Sequence, residues 1–140
     1  MHKKINILLV DDQKDQLLVL RSILEEENRH FIAAHSGAEA LLLCELEKID
    51  LVLLDYCLGD MNGLEVARAL RSKKSTAHIP IVMVTGIAPE EHPTFEDFEW
   101  CTIDLLCKPL DPEETRAKVY LYEELAALRK QVNAARGFYP

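Results

Sequence analysis

Three aspartates, a threonine and a lysine give this chain its most telling chemistry, and each stands at the end of an apolar run. Asp11 and Asp12 follow Ile5–Val10, Asp55 follows Leu51–Leu54, Thr85 follows Ile81–Val84, and Lys108 follows Ile103–Leu106. Gathered into one pocket, three carboxylates repel one another, and at least one is pushed toward protonation. A divalent cation resolves the conflict, and Mg2+ suits a few carboxylates together with waters and phosphate oxygens. A carboxylate in that company can attack a phosphoryl donor and form an aspartyl phosphate. Lys108 adds a movable positive charge, and Thr85 adds a hydroxyl that can donate to a phosphoryl oxygen. The work is then positioning and charge neutralisation, as in phosphoryl transfer generally. Taken singly, each residue reads more simply as a helix cap or a solvated turn. The joint pattern on successive units carries the functional reading.

The elements that must position these residues alternate. Ile5–Val10 reads as a buried strand, followed by a helix with Leu17, Leu20, Ile23 and Leu24 on one face. A weaker strand at Phe31–Ala34 precedes a capping-box pattern at Ser36–Glu39, which opens a helix through about Lys48. Leu51–Leu54 is the third strand; Asn62–Glu65 opens a helix that carries Val66, Ala67 and Leu70 on one side. Ile81–Val84 and Ile103–Leu106 are the fourth and fifth strands. Asp111, Pro112, Glu113 and Glu114 form the clearest helix start, with a cap, a first-position proline and two acids at the positive dipole end. This alternation, with near-continuous apolar strands, predicts a parallel sheet covered by helices on both faces. In such α/β sheets ligands bind at the strand C-termini, where all the polar residues fall. One stretch fits poorly: Ala88–Trp100 is expected to hold a helix, yet it contains Pro89, Pro93 and aromatics.

Composition bounds the function. A chain of 140 residues, 49% hydrophobic and 29% charged, suits one ordinary globular domain. A net charge of -8 argues against direct binding to nucleic acid, which usually calls for a basic face. No apolar stretch reaches membrane-spanning length and no signal peptide is evident. Cys44, Cys57, Cys101 and Cys107 form no C-x-x-C pair and read as reduced thiols of a cytoplasmic protein.

The quoted residues resemble the receiver domains of two-component response regulators, from about Asn6 to Glu124. The resemblance rests on Asp11-Asp12, the segment from Leu53 through Asp55 to Met61-Asn62-Gly63, Val84-Thr85-Gly86, and Lys108-Pro109. It implies a doubly wound five-stranded parallel sheet, order 2-1-3-4-5. It implies Asp55 as phosphoacceptor, Asp11, Asp12 and Asp55 as Mg2+ ligands or water-bridged supports, and Cys57 giving its backbone carbonyl to the metal. Thr85 and Lys108 are implied to bind phosphoryl oxygens, and the Lys108–Pro109 bond to be cis. The implied donor is a phosphohistidine on a sensor histidine kinase or phosphotransfer protein, so the domain is a phosphoacceptor rather than a turnover enzyme. Three departures bear on signalling: Leu105 replaces the usual aromatic switch residue, Gly59 replaces a common proline, and the region after the fourth strand is proline-bearing. Ile87 and Cys57 flank the phosphoryl position, and Ile87 is expected to slow water attack. For Cys57 a small loop side chain is the simpler reading than redox sensing.

The last helix is longer than such a domain needs. Leu121, Leu125, Leu128, Val132 and Ala135 recur at heptad spacing, with Glu124 and Arg129 at g and e positions. Homodimerisation through this seam and packing back on the domain both fit, and so does a connection to a downstream output domain or protein. The expected division is 1–124 for the receiver and 125–140 for the extended helix and tail. Other readings fit less well. A haloacid-dehalogenase-type phosphatase needs Asp-x-Asp where this chain has adjacent acids, and flavodoxin needs a Ser/Thr/Gly-rich phosphate loop where Asp11 and Asp12 would repel a flavin phosphate. A pseudo-receiver acting by contacts alone sits poorly with intact Asp55, Thr85 and Lys108.

Overall fold

The computed structural model describes residues 4–86, 102 and 104–137. Within them run β1 (Ile5–Val10), α1 (Lys14–Leu24), β2 (Arg29–Ala34), α2 (Gly37–Leu46), β3 (Leu51–Asp55), α3 (Gly63–Ser72), β4 (Ile81–Thr85), β5 (Asp104–Cys107) and the C-terminal helix α4 (Pro112–Ala135). All strands are parallel, in the order β2-β1-β3-β4-β5. The expected doubly wound sheet is the observed one. The expected helix at 88–100, and Ile87 with it, lie outside the described residues.

Strand side chains alternate between faces, so each apolar run feeds two cores. Leu8, Val10, Val52, Leu54, Ile81 and Met83 pack against Ala40 and Cys44 of α2 and Leu64, Val66 and Leu70 of α3. Their neighbours Ile7, Leu9, Leu51, Leu53, Val82, Val84 and Leu106 pack against Leu17, Leu20 and Leu24 of α1 and Val119 and Tyr122 of α4. Burial on both sides explains why β3 and β4 read as uninterrupted apolar segments.

Local signals set the helix starts. At α3 both arms of the capping box form: Asn62 accepts from Glu65 N at 2.8 Å and Glu65 accepts from Asn62 N at 3.0 Å. At α2 the Ser36 hydroxyl accepts from Glu39 N at 3.1 Å, but the Glu39 carboxylate accepts from His35 N rather than from Ser36. Asp111 sits at the cap of α4 ahead of Pro112 as expected, though its side chain makes no capping bond there.

Long-range ion pairs bind α4 to the sheet's lower edge. Arg29, the first residue of β2, donates to both Glu123 oxygens at 2.8 and 2.6 Å and to the Leu24 carbonyl at 2.6 Å. The side chains of this pair are only 5% and 7% exposed, and the carboxylate holds the Arg29 guanidinium above its ordinary pKa. Lys130 reaches Asp50, just before β3, at 2.6 Å, and Arg129 donates to the His78 carbonyl before β4. The helix therefore runs unbroken and anchored across the expected 124/125 division. Removing one partner of a buried pair leaves the other charge uncompensated. Glu123→Gln is expected to lower unfolding stability by about 3 kcal/mol in urea titrations, and Arg29→Met with Glu123→Leu to recover most of that loss.

Candidate functional site

The strand register sets the polar residues in a row along the sheet's upper edge. Val10 pairs with Leu54, Asp55 with Val84, and Thr85 with Cys107. Asp11 and Asp12 thus follow β1 beside the end of β3, where the winding of the sheet reverses direction and a crevice opens. Oxygens of Asp11, Asp12 and Asp55 lie within 4.8 Å of one another. Lys108 enters from beyond β5, with Nζ 3.0 Å from Asp55 and 3.8 Å from Asp11. Thr85 is buried at the end of β4, and its carbonyl accepts from Lys108 N at 2.9 Å. The Lys108–Pro109 bond is cis.

The electrostatics are unbalanced. Asp11 and Asp55 are buried and Asp12 is exposed. Burial raises both buried carboxyls above the ordinary value of 3.8; for Asp55, Lys108 offsets part of the rise. For Asp11 a bond from Gln13 N at 2.9 Å opposes it, while nearby Asp55 adds to it. Among the described residues one ammonium faces three carboxylates, which leaves the pocket negative. A cluster of hard carboxylate oxygens that one lysine cannot neutralise is a fitting donor set for Mg2+.

The loop after Asp55 is closed on itself. Tyr56 N donates to Val84 O at 2.9 Å, Gly63 N donates to Tyr56 O at 2.7 Å, and Cys57 faces Asn62 in an isolated antiparallel bridge. A side chain at Gly63 would come 2.7 Å from the Asp55 carbonyl oxygen and 2.8 Å from Met83 Sδ. Glycine is what lets α3 start this close to β3. Cys57 and Cys107 are exposed and free, and Cys44 is buried and free, its thiol pushed up to about 11 by burial. Leu105 is half-buried against the core, and its carbonyl accepts from Lys118 of α4 at 2.7 Å.

Two features near the site have no local signal in the sequence. One is the close approach of backbone that Gly63, itself part of the quoted motif, permits. Asp60 accepts from Gly37 N at 2.9 Å and from Ala38 N at 3.0 Å, a link spanning more than 20 residues that no local spacing signals.

The family described as the response regulator receiver domain matches residues 7–120. The chain belongs to that family. This receiver domain is 32% identical over 112 residues to protein PilH of Pseudomonas aeruginosa, covering 80% of this chain and 91% of PilH. It is 37% identical over 134 residues to the cyclic di-GMP phosphodiesterase response regulator RpfG of Xanthomonas campestris pv. campestris, covering 94% of this chain and 34% of RpfG. With the PhoP transcriptional regulator of Bacillus subtilis it shares 38% identity over 119 residues, which is 85% of this chain and 48% of PhoP. The receiver thus spans a third to a half of these two longer relatives. Among solved structures, a CheY-like receiver domain protein of Methanospirillum hungatei superposes with a TM-score of 0.79 at 27% identity, covering 91% of this chain and 99% of that one.

The raised carboxyl of Asp11 gives a signed prediction. A carboxyl whose folded pKa lies above its unfolded value favours the folded state at acid pH, and that benefit is lost as pH rises through the folded pKa. Ionised Asp11 therefore costs stability at neutral pH without a divalent cation. Asp11→Asn, which can keep the bond from Gln13, is expected to raise the Tm at pH 7. The gain should vanish below pH 3.8, the ordinary value, as thermal melts in chelator across a pH series would register.

Proposed function

We propose that this receiver accepts a phosphoryl group on Asp55 from a phosphohistidine of a sensor histidine kinase or phosphotransfer protein. The observation that carries the reading is Lys108 Nζ at 3.0 Å from Asp55, inside a cluster of three aspartates at the sheet's upper edge. An Asp55 oxygen attacks phosphorus, the phosphorus–nitrogen bond breaks, and its electron pair returns to the imidazole. Lys108 and Thr85 bind the phosphoryl oxygens as they leave the donor. Asp11, Asp12, Asp55 and the Cys57 carbonyl would hold Mg2+, whose contribution is to neutralise charge between the carboxylates and the incoming phosphoryl group. Burial of Asp55 keeps competing water away from the nucleophile. The proposed setting is the cytoplasm, with the thiols reduced. The acidic chain, at net charge -8, binds no nucleic acid directly.

Phosphorylation adds nearly two negative charges at the edge of β3. Lys108 and Thr85 are drawn toward them together, since their backbones share a hydrogen bond. β5 then carries the shift to α4: Asp104 accepts from Tyr122 at 2.7 Å and from Lys118 at 3.2 Å. This polar grip supplies the relay that an aromatic switch at Leu105 would otherwise provide. The output surface is the exposed seam of Leu121, Leu125, Leu128 and Val132, which suits a second copy or a downstream output partner. Arg129 is held by the His78 carbonyl, so a Glu124–Arg129 pair across a dimer competes with that bond.

Intact-mass spectrometry after incubation with Mg2+ and acetyl phosphate should show one added phosphoryl group on the parent and none on Asp55→Asn. No addition to a parent shown separately to bind Mg2+ would favour a kinase-dependent or contact-only domain. Leu125→Asp with Leu128→Asp should convert a dimer to a monomer by light scattering; a parent that stays monomeric with and without phosphorylation removes the dimer.

A further inference from the structure

We infer that Asp60 is a positioning residue for the acidic pocket, bracing the loop after Asp55 against the start of α2 and so holding Gly59 beside Asp12. The inference rests on the phosphoacceptor reading of Asp55.

The first N–H groups of a helix have no partner within it. At α2, Ser36 takes the one at Glu39, and Asp60 takes those at Gly37 and Ala38, one with each carboxylate oxygen. The contact continues one residue on. A side chain at Gly37 would overlap Met61, so the loop and the helix start lie against each other at successive positions. The same short segment also anchors the other side of the pocket, because Asp11 N donates to Ala34 O at 3.1 Å at the end of β2. Through Ala34 on one side and Gly37 and Ala38 on the other, Asp11 and the loop after β3 are tied to one segment.

The loop needs such a support at its tip. Its base is closed by the bond between Gly63 and Tyr56 and by the Cys57–Asn62 bridge. Its tip is Gly59, which contributes no stiffness of its own. A Cβ built on Gly59 would stand 3.7 Å from Asp12 Oδ2, so a small drift of the tip alters the surroundings of a pocket carboxylate. Asp60 is the adjoining residue, and its two bonds fix that tip. The bonds from Gly37 and Ala38 N–H favour the charged carboxylate of Asp60 and keep its carboxyl below the ordinary range.

The test compares the parent with Asp60→Ala, Asp60→Asn and Ser36→Ala. Three readouts are taken: amide hydrogen exchange at Gly37 and Ala38, the Mg2+ Kd by calorimetry, and the rate of Asp55 modification by acetyl phosphate. Asp60→Ala should speed exchange at both amides, weaken Mg2+ binding about tenfold, and slow modification, as loss of an outer support does at metal sites. Asp60→Asn, which keeps one acceptor oxygen, should fall between. Ser36→Ala should free the Glu39 amide, keep the bonds from Gly37 and Ala38 to Asp60, and leave the Mg2+ Kd unchanged. An Asp60→Ala protein with faster exchange but Kd and rate within twofold of the parent would overturn the brace while leaving the phosphoacceptor reading intact. So would a Ser36→Ala protein that matches Asp60→Ala. A parent that neither binds Mg2+ nor gains a phosphoryl group would overturn the reading beneath it and the brace together.

Discussion

Like charges held close together in a half-dry crevice repel strongly, and the upper edge of this receiver is organised around that repulsion. Asp11 and Asp55 are buried and Asp12 lies beside them, with Lys108 as the single ammonium paired to the cluster among the described residues. Asp12 is turned to solvent, which eases the conflict only in part. Parallel strand register keeps Asp11 and Asp55 together, since they stand at the ends of β1 and β3, strands whose two faces are already committed to the cores. The apolar layers thus hold the charges where they do not wish to be. The carboxylate oxygens are therefore held close together before any positive partner is present.

Most of the frame was legible because it depends on periodicity and local chemistry. The buried strands β1, β3 and β4 are continuous apolar runs, and the starts of α2, α3 and α4 carry their caps in adjacent residues. The pocket followed from them, because any residue after such strands shares one edge. What could not be read are the features that join distant residues. β2 begins at Arg29, two residues earlier than its apolar segment, because a charged residue is buried there by a partner 94 positions away. Asp60 looked like an ordinary loop acid for the same reason. Burial of a polar group is decided by its partner, and local pattern carries no record of that partner.

The C-terminal helix shows both sides of this division. Its heptad spacing was plain, and the residues at that spacing are indeed exposed on one face. Its opposite face was unreadable. There Glu123 and Lys130 meet the segments that begin β2 and β3, while Arg129, at the flank of the seam, reaches the one before β4. A helix with one face committed to the sheet and another left apolar can transmit small displacements of the strands to whatever meets the seam.

The Arg29–Glu123 pair has a bearing on how this sequence can change over generations. A single substitution at either position strands a buried charge, and a domain with a margin of only about 5–15 kcal/mol loses a large part of it. An apolar replacement at both positions could fold as well, yet the path to it crosses a poorly folded ancestor. A pair of this kind resists replacement one residue at a time even where it confers no advantage in stability. The same barrier guards the position of α4 against β2, and with it the direction in which the exposed seam points.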